Sequence, residues 1–201
     1  MSTITICILL AVGSYLLGSF SSSIAISLGK SKGDIRKLGS GNAGATNMAR
    51  IYGMAAGVVT MTIDLLKALI CAEVGYQLLG DIGLAVAGFS SMVGHCYPIY
   101  YHFKGGKGIS VGAGLAIAIH WKVFLALAVV FFVTALPTKK VSVGSVCAAV
   151  GLTVASLLLH VSTPKLVMAV CATVLAIFQH RANIRRLLNG TEPDFKAAHK
   201  E

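Results

Sequence analysis

The chain has 201 residues, of which 56% are hydrophobic and 12% charged, and its formal net charge is +10. A soluble domain carries about a quarter charged residues, so this composition and a mean hydropathy of +0.81 exclude a water-solvated fold and require lipid as the solvent for most of the surface. The basic residues stand in short clusters between apolar runs with few aromatics among them, which fits the loops of a bilayer protein and excludes a nucleic-acid surface.

In chain order the apolar segments run at about 4–28, 53–79, 82–101, 108–120, 121–137, 141–160 and 164–179. The first has no basic residue ahead of it, its nearest being Lys30, so it is expected to stay attached as a span and not to act as a cleaved leader. The fourth, GISVGAGLAIAIH, covers only about two-thirds of a ~30 Å hydrocarbon core as a regular helix. Charge placement decides whether it crosses. If all seven segments cross, every positive residue outside the spans, including Lys30, Lys32, Arg50, Lys107, Lys139, Arg186 and Lys200, falls on one side, and only Lys122 and Lys165 lie opposite. If the fourth does not cross, the same charges divide almost evenly. The positive-inside rule therefore predicts an all-α integral membrane protein of seven transmembrane helices, amino terminus outside and carboxy terminus cytoplasmic. With no internal repeat or low-complexity linker, 1–201 reads as a single membrane-embedded domain with cytoplasmic loops at 29–52, 102–108 and 138–142 and a tail at 180–201.

Asp64 and Lys67 fall inside the second span, three residues apart on one helical face. Intramembrane charges are costly, so mutual pairing is expected, with orientation of a loop residue as the functional alternative for Asp64. Gly83, Gly88, Gly94, Gly112 and Gly114 are read as sites of close helix packing. The five cysteines occur singly, and no histidine has metal-ligand spacing, so neither a disulfide nor a metal site is expected.

Three unusual loops share the predicted cytoplasmic side. In the first, GSGNAGATNMAR (39–50), Gly39, Gly41 and Gly44 carry dinucleotide-fingerprint spacing, but no core strand precedes them, so that reading fails. Here Ser40, Asn42, Thr46 and Asn47 offer neutral donors, Gly41 and Gly44 allow backbone approach, and Arg50 presents a planar fork suited to phosphate. A plain turn with Thr46 or Asn47 as helix cap is the alternative. The second loop, FKGGKG (103–108), lacks the first glycine and final hydroxyl of a nucleotide-hydrolysing loop. Gly105, Gly106 and Gly108 with Lys107 nonetheless describe an anion cradle at the amino end of the fourth helix. In the third, HRANIRRLLNGTE (180–192), helical spacing puts His180 and Asn183 on one side, and Glu192 is placed to pair with an arginine or to sit in a solvated tail. No H-x-x-x-x-D arrangement and no Ser/His/Asp elbow is present. Chemistry without a dedicated nucleophile calls for an already activated substrate.

SGNAGATN followed by Arg50, GGKG, HRANIRRLLNGTE and the DLLK stretch at 64–67 closely resemble, in order and over nearly the whole chain, the motifs of the bacterial PlsY family, the integral-membrane acyl phosphate:glycerol-3-phosphate acyltransferases. The resemblance implies seven spans with an external amino terminus in the bacterial cytoplasmic membrane. It implies that fatty acyl groups move from acyl phosphate to the 1-hydroxyl of glycerol 3-phosphate, giving lysophosphatidic acid and phosphate, with no cofactor and no required protein partner. It implies functional roles for Ser40, Arg50, His180, Asn183 and Glu192, glycerol 3-phosphate binding around Lys107, and a further polar position at Ser142. This chain departs from the family's G-G-K-G-V-A-T at Ile109, Ser110 and Val111. A carrier of phosphorylated solutes is the rival class, although such carriers commonly show two related halves that this sequence lacks.

Overall fold

In the computed structural model all regular structure among the described residues, 1–30 and 33–196, is helical; Lys32, Lys200 and the tail beyond Lys196 lie outside them. The helices are α1 (Thr3–Ser19), α2 (Ser22–Leu28), α3 (Ala45–Tyr52), α4 (Met54–Cys96), α5 (Ile109–Ile119), α6 (Trp121–Thr138), α7 (Val141–Leu158), α8 (Thr163–Gln179) and α9 (Arg181–Leu188), with 3-10 turns at Ile35–Lys37 and Ile99–Tyr101.

The surface is inverted relative to a water-soluble bundle. Ile8, Val12, Val58, Ile70, Val129, Val133, Val154 and Val174 face outward, while Ser22, Thr60, Asp64, Lys67 and His95 are buried. Lipid selects that arrangement, because polar groups find partners only inside the protein.

α4 is two rods. Leu79 and Gly80 leave helical geometry, Gly80 at φ 58°, where a residue without Cβ is favoured. The chain folds back so closely that a Cβ on Gly75 would strike the carbonyl of Gly83, and one on Gly83 that of Gly75. The boundary expected between the second and third apolar segments falls at this bend, and Gly83 serves the close packing read for it.

By length and composition four units can cross a bilayer, Thr3–Leu28, Met54–Tyr101, Trp121–Thr138 and Val141–Leu158, or five if α8 and α9, bent by 58°, form one broken span. Met54–Tyr101 contains both arms of the folded α4. α5 has 11 residues and reaches only about 16 Å, as the shortness of the fourth apolar segment foretold. It ends at His120, whose extended backbone stops one helix and whose side chain accepts from the Lys122 amide to start α6.

Asp64 and Lys67 pair at 2.9 Å, as expected from their spacing. The Lys67 ammonium also donates to the Phe20 carbonyl at 2.7 Å, a group freed by the break between α1 and α2. Ser22 Oγ donates to Asp64 Oδ1 at 3.1 Å. The intramembrane charges thus tie α4 to that break.

Candidate active site

The first loop is organised by Asn47, which is fully buried. Its Oδ1 accepts from the Ser40 amide at 3.0 Å, and its Nδ2 donates to the carbonyls of Ile35, Leu38 and Asn42. With both side-chain polar atoms engaged within the chain, Asn47 holds the loop in shape. Gly44, not Thr46 or Asn47, occupies the cap of α3. Thr46 and Arg50, four apart on α3, share a face and line one cavity with Ser40, Asn42 and Gly44.

The second loop departs from the expected cradle. The amides of Gly105 and Gly106 donate to the carbonyls of Cys96 and His95, satisfying the open end of α4. Neither glycine lines the cavity, and neither does Gly41. Lys107, Gly108, Ile109 and Ser110 do, so the free amides available there belong to the first turn of α5. Ser110, where the family pattern has another residue, adds a hydroxyl to that wall.

The third sequence supplies a chain of polar contacts. Lys107 Nζ donates to Asn183 Oδ1 at 2.5 Å, Asn183 Nδ2 donates to Glu192 Oε1 at 2.7 Å, and Arg186 Nε donates to Glu192 Oε2 at 2.7 Å. Burial opposes the charge on Glu192, but donors from Asn183, Ser142 and Arg186 outweigh it and hold the carboxyl below its usual range. The buried Ser142 hydroxyl, in the first turn of α7, faces this carboxylate. Pairing of Glu192 with an arginine, one of its two expected arrangements, is what the fold adopts. Pro193 and Phe195 continue along the cavity wall, where the Phe195 amide donates to the Lys139 carbonyl and Lys140 pairs with Asp194.

His180 sits at the bend between α8 and α9, and its Nδ1 lies 2.8 Å from the Ala176 carbonyl. A carbonyl only accepts, so Nδ1 carries the proton and the neutral ring leaves Nε2 as an acceptor. Burial, which outweighs the Ala176 bond, and the nearby Lys107 charge lower its pKa to about 4. Lys107 is lowered to about 8, chiefly by burial and further by Arg186 and Arg50, against the opposing pull of Glu192. Arg50, Lys107 and Arg186 therefore crowd one pocket whose two carboxylates, Glu192 and Asp64, are already engaged, Glu192 by Asn183 and Arg186 and Asp64 by Lys67, an arrangement completed by an anion.

The cavity of about 360 Å³ has a second character away from these groups. Phe124, Leu127, Ala128, Phe131 and Phe132 of α6 meet Ala148, Ala149 and Leu152 of α7 and Ala172 and Ala176 of α8 along an apolar wall. Ser40, Asn42, Gly44, Thr46, Asn47, Arg50, Lys107, Gly108, Ser142, His180, Asn183 and Glu192 thus all line one cavity, whereas Gly41, Gly105 and Gly106 shape its loops from behind. Sequence reasoning overlooked Arg186, which the three-residue step from Asn183 along a helix would have revealed.

A helical membrane protein with one cavity that is cationic at one end and apolar along α6 to α8 has the build of an enzyme joining a polar phosphate ester to a lipid chain. The family model described as glycerol-3-phosphate acyltransferase matches residues 8–190. Glycerol-3-phosphate acyltransferases of Finegoldia magna and Bacillus subtilis are 38% and 37% identical to the chain, covering 92% and 94% of it and 94% and 97% of their own lengths. Crystal structures of PlsY, an integral membrane glycerol 3-phosphate acyltransferase, superpose with TM-scores of 0.90 for the glycerol 3-phosphate form and 0.87 for the lysophosphatidic acid form. Both are 34% identical and cover 94% of this chain, which covers 96% and 95% of theirs. The chain belongs to the glycerol-3-phosphate acyltransferase family and is an integral membrane acyltransferase.

Proposed function

We propose that the protein transfers a fatty acyl group from acyl phosphate to the 1-hydroxyl of sn-glycerol 3-phosphate, releasing lysophosphatidic acid and inorganic phosphate, without a cofactor or an obligatory protein partner. The observation that carries this reading is the union of Arg50, Lys107, Arg186 and a neutral His180 at the polar end of a cavity whose other wall is apolar. Lys107 and Arg50 grip the phosphate of glycerol 3-phosphate, with Asn183 and Glu192 holding the Lys107 tip. Ser40, Asn42, Thr46 and the first turn of α5 offer donors to the phosphate of the activated donor, and its chain extends along Phe124, Leu127, Phe131 and Ala149.

The hydroxyl oxygen attacks the acyl carbon as the bond from that carbon to the phosphate oxygen breaks. His180 Nε2 accepts the hydrogen bond of the attacking hydroxyl and orients it. With a pKa of about 4 the ring is a weak store for the proton, which comes to rest on the departing phosphate, a far stronger base once its bond to the acyl carbon has broken. The cations stabilise charge on the leaving oxygens, so catalysis rests on positioning and electrostatics with a mixed anhydride already primed.

In this reading the seven apolar segments all cross the bacterial cytoplasmic membrane, with the amino terminus outside and the site at the cytoplasmic face. The grouping of Arg50, Lys107 and Arg186 around one cavity, with Lys165 paired to Asp81 beside the reversal of α4, supports that orientation. Single cysteines introduced at Lys122 and Lys139 in a cysteine-free background are expected to react with a membrane-impermeant maleimide from the outside and the inside respectively; the reverse labelling contradicts it.

Two further outcomes follow. The unliganded Lys107 must be charged to attract a phosphate, so kcat/KM for glycerol 3-phosphate is expected to fall as pH rises through about 8, and a Lys107→Arg variant retaining activity should lose that alkaline limb. Filling the apolar wall with Ala128→Phe is expected to shift preference toward shorter acyl donors without changing the KM for glycerol 3-phosphate; an unaltered chain-length profile removes that wall from the acyl path. The reaction itself is tested with purified protein in detergent, by following lysophosphatidic acid and phosphate. Both are expected only when acyl phosphate and glycerol 3-phosphate are present together. Accumulation of glycerol 3-phosphate in proteoliposomes with no new product would instead support the carrier reading.

A further inference from the structure

The buried charges between the arms of α4 take no part in the chemistry above, yet they reach the loop that carries Lys107. Lys67 Nζ has three acceptors for its three protons: Asp64 Oδ1 at 2.9 Å, the Phe20 carbonyl at 2.7 Å and His95 Nδ1 at 3.1 Å. His95 Nδ1 is therefore an acceptor, and the opposite nitrogen, Nε2, is turned toward the loop. A Cβ on Gly106 would collide with Nε2 and would stand 2.7 Å from the Ala43 carbonyl of the first loop. The backbone of the same residue is fixed as well, because the His95 carbonyl accepts the Gly106 amide and the Cys96 carbonyl accepts the Gly105 amide. His95 is 3% exposed and Asp64 1%, so neither ring nor carboxylate is free to move. One imidazole thus spans from an ion pair inside the helices to the point where the two phosphate-facing loops touch.

We infer that His95, locked by Asp64 and Lys67, is a positioning residue that sets the height and aim of Lys107 in the pocket. A side chain at Gly106 is excluded for the same reason, since the ring occupies the only place for it. The effect should appear in recognition of the phosphate and not in the acyl channel, because the strut ends on Gly106, next to Lys107. The inference rests on the reading that Lys107 grips the phosphate of glycerol 3-phosphate.

Steady-state kinetics of the purified wild type, Lys107→Ala, His95→Ala, His95→Asn and the Lys107→Ala/His95→Ala double variant separate the two. His95→Asn retains an acceptor for Lys67 but lacks the reach to Gly106, so it reports on the strut even if His95→Ala fails to fold. Either His95 variant is expected to raise the KM for glycerol 3-phosphate roughly 10-fold, with the KM for acyl phosphate within about twofold, the size of coupling usual for residues sharing a contact. In the Lys107→Ala background, loss of the ring is expected to change kcat/KM for glycerol 3-phosphate by less than about twofold. A His95 effect that is undiminished without Lys107, or that raises both KM values alike, overturns the inference while leaving the site intact. If Lys107→Ala itself leaves the KM for glycerol 3-phosphate unchanged, the phosphate assignment fails, and the role of His95 fails with it.

Discussion

Replacing Lys107 by Ala is expected to raise the KM for glycerol 3-phosphate roughly 30- to 150-fold, with kcat within about threefold of the parent, the signature of a lost interaction made equally in ground and transition states. A charge-assisted bond from ammonium to phosphate is worth about 2 to 3 kcal/mol when the partner is left in a desolvated pocket, which gives that range. The ammonium is well placed to act as such a donor. It is held by Asn183 Oδ1, which itself is fixed by Glu192, and it stands near two guanidinium groups that lower its pKa after burial has done so. A bound dianion relieves that crowding, so binding and protonation of Lys107 reinforce each other. Unchanged KM values in steady-state assays of Lys107→Ala would remove this residue from the substrate site.

His180 should behave in the opposite way. Its replacement by Ala is expected to lower kcat about 10²- to 10³-fold with little change in either KM, the range for loss of a positioned acid-base or orienting group. His180→Asn is the sharper test. The Asn amide restores a donor to the Ala176 carbonyl, where the imidazole Nδ1 lies at 2.8 Å, but it has no atom at the place of Nε2. If the working atom is Nε2, Asn should be as slow as Ala; if the ring matters only for tying α8 to α9, Asn should recover most of the rate. Measurement of kcat at saturating concentrations of both substrates decides between them.

The apolar helices and the loops whose residues meet at one cavity were legible in the sequence because both depend on local composition and spacing. A bilayer demands long apolar runs, and Thr46 with Arg50 needs only the pitch of a helix to share a face. What could not be read depends on contacts across the fold. Gly105 and Gly106 look like cradle glycines, but their amides close the end of α4, and nothing local distinguishes an amide offered to a phosphate from one offered to a carbonyl. Asn47 resembles a ligand-binding or capping residue until its four bonds within the first loop are seen. The pairing of Asp64 with Lys67 was accessible from three-residue spacing, whereas the approach of His95 required the reversal at Leu79 and Gly80 that brings the arms of α4 together.

The central claim is that loops distant in sequence close on one phosphate group, and equilibrium titration of glycerol 3-phosphate into the purified protein tests it most directly. One molecule is expected to bind per chain, with Arg50→Ala, Lys107→Ala and Asn183→Ala each weakening that same event at least 10-fold, in proportion to the loss of charge-assisted contacts. Wild-type affinity in the Arg50 and Lys107 variants, or two independent binding events per chain, would contradict it.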